Sequence, residues 1–202
     1  MQTPEAAQAD AGEVYDTPFF FVLDGVDQKG SLYLYAPDSK GAFGPRDKIF
    51  DGDGIGDFTY LKAAAQVDND KDGYSDATYY GTDEGVLSYT CTNADGEVKT
   101  RRIGGGWDIY AKVLSPGSIG GAKESDILAV DKAGVLWTYP ARPDGTVTPR
   151  GRVGAGWNTY NPLRSNGDLD RDGTADLLAR AADGSLSFHR DTARHPPRTP
   201  SP

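Results

Sequence analysis

Two nine-residue stretches hold the side chains best suited to chemistry. One runs from Asp68 to Asp76 (DNDKDGYSD) and the other from Asp168 to Asp176 (DLDRDGTAD), with aspartates at the first, third, fifth and ninth positions and glycine at the sixth. Four carboxylates so close would repel one another and raise each other's pKa unless a cation sat among them. Calcium takes six to eight oxygen ligands at about 2.3–2.6 Å, and a sharply turning loop can wrap it. The predicted ligands are Asp68, Asp70, Asp72, the Tyr74 carbonyl and Asp76 in the first loop. In the second they are Asp168, Asp170, Asp172, the Thr174 carbonyl and Asp176. An EF-hand requires a glutamate at position 12 and flanking helices. Position 12 here is Tyr79 or Ala179, and the flanks read as strands. Zinc is disfavoured because every donor is oxygen and no Cys/His cluster exists. Two structural Ca2+ sites are expected.

Other chemistry is sparse. His189 and His195 are the two histidines, and neither lies in a nucleophile motif; no Gly-x-Ser-x-Gly is present. Trp107, Trp137 and Trp157 recur in related segments and are weighed in two ways. Exposed, they could stack on a sugar ring; buried, they would pack between repeats. Cys91 is the single cysteine, so no intramolecular disulfide can form. The net charge of −9 and pI near 4.6 disfavour nucleic acid and anionic membranes as partners. No apolar run reaches the length of a membrane span, and the N-terminus has no hydrophobic leader core.

The elements that position the loops repeat. GSLYLY, GVLSYT, GVLWTY and GSLSFH start at Gly30, Gly85, Gly134 and Gly184. IGGGWDIY from Ile103 returns as VGAGWNTY from Val153, and DGIGDFTY from Asp53 aligns with both, putting Asp57 at the tryptophan position. By that alignment DGDGIGD (Asp51–Asp57) is a turn and not a third cation loop. The stretch equivalent to the loops in the remaining copy has Ser118, Gly120 and Ala122 at positions one, three and five, and only Asp126 remains; it is expected to be metal-free.

Each period of about fifty residues reads as four short strands separated by turn residues such as DKAG, PDG and NADG. The fold class predicted is all-β, a β-propeller of four-stranded blades. About four blades are expected, two of them partial, since the first unit lacks its opening strand and the last its closing one. Residues 1–17 read as a flexible lead-in, 18–189 as the repeats and 190–202 as a disordered Pro/Arg-rich tail. Open blade edges would allow self-association.

The wording DxDxDGxxD leading into DLLAR, then DGSL, with VGAGW upstream, resembles the FG-GAP/VCBS repeat family, in its secreted actinobacterial form. That resemblance implies integrin-alpha-like calcium-loop propeller repeats with the ion bracing the loop between the first two strands of a blade. It implies a secreted, extracellular, non-catalytic module that binds a glycan or a protein. The alternative is an accessory or truncated part of a secreted hydrolase.

Overall fold

The computed structural model describes residues 23–35, 44–51, 58–69, 75–93, 95–119, 124–165, 168, 170, 172 and 174–190. The expected lead-in 1–17 and nearly all of the expected tail lie outside these residues. The architecture is all-β, with four antiparallel sheets that follow one another along the chain. The first holds β1 (Leu23–Val26), β2 (Leu32–Tyr35) and β3 (Asp47–Phe50). The second holds β4 (Leu61–Val67), β5 (Ala77–Thr82), β6 (Leu87–Thr92) and β7 (Val98–Gly104). The third holds β8 (Tyr110–Gly117), β9 (Asp126–Asp131), β10 (Leu136–Tyr139) and β11 (Gly151–Gly154). The fourth holds β12 (Tyr160–Arg164), β13 (Leu177–Ala181) and β14 (Leu186–His189). Among the described residues the two middle sheets are complete four-stranded blades and the outer two are three-stranded.

The hairpins form where the sequence supplies a side chain to close them. Asp131 accepts hydrogen bonds from the amides of Ala133 and Val135, both at 2.9 Å, and from the Trp137 indole N–H at 2.9 Å. Asp27 repeats the device with Lys29, Ser31 and the Tyr33 hydroxyl. Such aspartate-closed turns replace backbone bonds that a tight turn cannot make. The Trp137 N–H, helped by the Val135 amide, holds the Asp131 carboxyl below the usual carboxylate range. Glycine follows in each turn for a steric reason. Gly134 has φ 84° and accepts from the Trp157 amide at 2.9 Å, and a Cβ there would come within 2.3 Å of Asn158 Oδ1.

Among the described residues, two cores lie between successive sheets. Ala65, Val67, Tyr79, Leu87, Tyr89 and Trp107 meet Ile127 and Ala129 of β9. On the opposite face of β9, Leu128 and Val130 join Leu136, Trp157, Leu163 and Leu177. β9 is therefore covered on both faces, which is why its sequence, DILAVD, is apolar at consecutive positions rather than alternating. Each fully buried leucine stabilises by about 1.5–3 kcal/mol relative to exposure. The outer strand β7 carries Lys99, Arg101 and Arg102 and is mostly exposed, a charged edge that discourages strand addition.

The first strands β4 and β8 lie against each other, as they must when blades are arranged around an axis. Before β8 and β12 the chain makes a single 3-10 turn, Trp107–Ile109 and Trp157–Thr159, which sequence periodicity did not anticipate. The amides of Trp107 and Trp157 bond to the carbonyls of Gly85 and Gly134 in the preceding sheet. Phe58 makes the same bond to Gly30, and Leu61 bonds back to Phe58 as Tyr110 does to Trp107. The tryptophan position of the first copy is thus held by Phe58. This corrects the alignment that placed Asp57 there: the spacing between these copies is one residue shorter than the later one.

Candidate metal centre

The second aspartate loop joins β12 to β13. It draws the carboxylates of Asp168, Asp170 and Asp176 together, with one oxygen from each lying within 4.8 Å of the others. Asp176 is fully buried at the start of β13, and its Oδ2 accepts the Asp170 amide at 3.4 Å. Asp168 Oδ1 accepts the Asp172 amide at 3.1 Å, and Asp172 Oδ1 accepts the Thr174 amide at 2.9 Å. These local bonds coil the loop. They also leave the exposed Asp172 carboxylate turned to the Thr174 amide and outside the three-aspartate group. Of the five predicted ligands here, three converge, Asp172 serves the turn, and Thr174 follows it.

The donor set fits a hard divalent cation on two observations. All three converging groups are carboxylates, the ligand type that calcium prefers. In addition, Asp170 Oδ1 is buried and has no hydrogen-bond partner, a condition that costs about 1–3 kcal/mol unless something compensates it. Asp170 Oδ2 is engaged by the Arg190 guanidinium at 2.9 Å. Sequence reading missed Arg190 by assigning it to the tail. The signal was available in the β13–β14 register: Leu177 pairs with His189, so residue 190 falls beside Asp176.

The first loop joins β4 to β5. Asp70, Asp72 and Tyr74 lie outside the described residues, as do residues 52–57 of the Asp51–Asp57 turn. Asp68 is buried (4% exposed) and Asp76 is exposed. Asp76 Oδ2 accepts the Asn69 amide at 2.6 Å. The loop also reaches the next sheet: Ser125 donates its hydroxyl to the Asp68 carbonyl at 2.8 Å and its amide to Asn69 Oδ1 at 3.1 Å. One loop later the pattern returns, with the Ala175 amide bonded to the Ser118 carbonyl at 3.0 Å. The aspartate loops are therefore also the joints between neighbouring blades.

The degenerate loop between β8 and β9 is a control provided by the chain itself. Asp126 is 1% exposed. Its Oδ2 accepts the Ile119 amide at 3.0 Å, the equivalent of the Asn69 bond to Asp76, and its Oδ1 accepts the Ala141 amide at 3.2 Å. Both carboxylate oxygens are engaged by backbone donors. The position that persists in all three loops is the one that ties the loop to the following strand.

The tryptophans divide. Trp157 is fully enclosed and Trp107 is 9% exposed, with Trp107 against Tyr110 and Tyr139 and Trp157 against Tyr160 and His189. The option that they present faces to a ligand is corrected: both pack in the cores between blades. Trp137 is half-buried, with the Arg150 guanidinium 3.9 Å from its ring centroid and Asp131 on its N–H. Burial pushes the His189 imidazole below its ordinary range. Among the described residues no helix is long and apolar enough to cross a membrane. No protein-family model matches the chain, and no curated protein matches it.

Proposed function

We propose that the chain is a calcium-stabilised, non-catalytic recognition module that binds a glycan or protein surface outside the cell. The observation that carries this reading is the convergence of Asp168, Asp170 and Asp176 with a buried, unpartnered oxygen on Asp170. A divalent cation there would cancel the mutual repulsion of the carboxylates and take up that oxygen. Asp68 and Asp76, with Asp70 and Asp72, would form the second site. The loops also join blades, so the ion's role is to brace the scaffold that presents the outer loops. The resemblance of the loop wording to FG-GAP/VCBS repeats supports the same reading. So does calcium chemistry, because weak oxygen-rich sites fill at the millimolar calcium typical of extracellular modules.

The test is a glycan array and an extracellular-protein binding screen, each run with the calcium-loaded chain and again in EDTA. Selective binding that EDTA abolishes is expected. Turnover of a polysaccharide or ester panel, lost on changing an acidic pair outside the two loops, would favour a hydrolase and overturn the reading.

A further inference from the structure

The strands β4, β8 and β12 are the first strands of three successive sheets, and all three line one cavity of about 600 Å³. Each contributes a cation to it: Lys62 from β4, Lys112 from β8 and Arg164 from β12. Asn158 and Asn161 add polar groups, and no carboxylate lies among its described lining residues. None of the three cations is within ion-pair distance of an acid among the described residues. Lys62 donates to the Thr59 carbonyl at 3.4 Å, Arg164 to the Leu163 carbonyl at 3.0 Å, and Lys112 to the Tyr160 carbonyl.

This arrangement runs against the rest of the molecule. The chain carries nine more acids than bases, so cations gathered without acids are not a by-product of composition. An adjoining cavity of about 300 Å³ shares Lys62 and Lys112 but is also lined by Asp83 and Asp108; of the two, the one without an acid among its described lining residues is the larger. Burial, and then the nearby Arg164 charge, lower the Lys112 pKa, which places two of the cations within electrostatic reach of each other. Like charges held close cost free energy that a bound anion would recover.

We propose that Lys62, Lys112 and Arg164 form a binding site for a small multivalent anion, a carboxylate or a phosphate, in the cavity between the first strands of three successive sheets. The negative net charge of the chain repels nucleic acid at longer range. Amide groups at Asn158 and Asn161 supply neutral donors beside the charges. This site is independent of the aspartate loops and does not rest on calcium binding.

The experiment is calorimetric titration of the full chain with succinate and, separately, with inorganic phosphate. Ionic strength is held constant with sodium chloride and no calcium is added. Circular dichroism confirms that the chain is folded, and the succinate arm is repeated in millimolar calcium. Saturable one-site binding by either anion is expected, and which anion saturates assigns the chemistry. Lys62→Gln and Arg164→Gln should each weaken that binding about tenfold, the loss of one charge-assisted hydrogen bond. Lys112 is left intact because its bond to Tyr160 joins β8 to β12. Absence of saturation, equal competition by chloride, or unchanged affinity in both folded variants would overturn the proposal. Melting curves of the variants separate a binding loss from unfolding.

Discussion

Replacing Asp126 by alanine isolates what the ninth-position aspartate does when no ion is involved. The carboxylate is 1% exposed and accepts the amides of Ile119 at 3.0 Å and Ala141 at 3.2 Å. Alanine removes both acceptors and leaves a small void that the buried neighbours Ile119 and Ala141 cannot readily open to water. Each orphaned amide costs about 1–3 kcal/mol, so the substitution should destabilise by roughly 2–6 kcal/mol in total. For a chain of this size that corresponds to a melting shift of roughly 5–20 °C. Asp126→Asn keeps one acceptor oxygen and should lose about half as much. The assay is urea denaturation followed by tryptophan fluorescence, performed in EDTA and in calcium. The loss should be the same in both, since this loop has only Asp126 of the ligand set. A loss below about 0.5 kcal/mol, the range of ordinary surface substitutions, would refute the assignment of this carboxylate to the backbone amides. A loss seen only in calcium would refute the metal-free status of the loop.

Other substitutions probe the joints and the buried histidine. Gly134→Ala puts a side chain at φ 84° and a Cβ 2.3 Å from Asn158 Oδ1; a destabilisation of about 1–3 kcal/mol is expected by chemical denaturation. His189 is held below its ordinary pKa by burial, so the unfolded chain takes up a proton at higher pH than the folded one. The stability due to the neutral imidazole is complete above about pH 6.5 and is lost as pH falls through the folded-state value. Urea midpoints compared between about pH 8 and pH 5 should fall more for the wild type than for His189→Phe; equal falls would contradict this.

The blade plan was legible because glycine turns and alternating strands recur at a nearly fixed spacing, and the observed hairpins at Gly30, Gly85, Gly134 and Gly184 fall where that spacing puts them. DILAV could be recognised as a strand, but its coverage on both faces became evident only from Ile127 and Leu128 entering different cores. Periodicity could not choose between Asp57 and Phe58, because a one-residue deletion leaves both glycines in place; the Phe58–Gly30 hydrogen bond decides it. Aromatic type alone could not separate stacking on a ligand from packing between blades, since both use a large flat ring. Burial of Trp107 and Trp157 makes that distinction. The aspartate spacing identified the loop, while the turn bond from Thr174 to Asp172 shows that residues in a ligand pattern can be engaged by the backbone instead.

Calcium uptake tests the central claim most directly. Titration calorimetry of the EDTA-stripped, dialysed chain, read together with native mass spectrometry, should give two calcium ions per chain. Stability should rise by about 2.7 kcal/mol for each filled site when free calcium is one hundred times the dissociation constant. Asp170→Asn should reduce the count to one. No bound ion by either method, or an unchanged count in Asp170→Asn, would contradict the account.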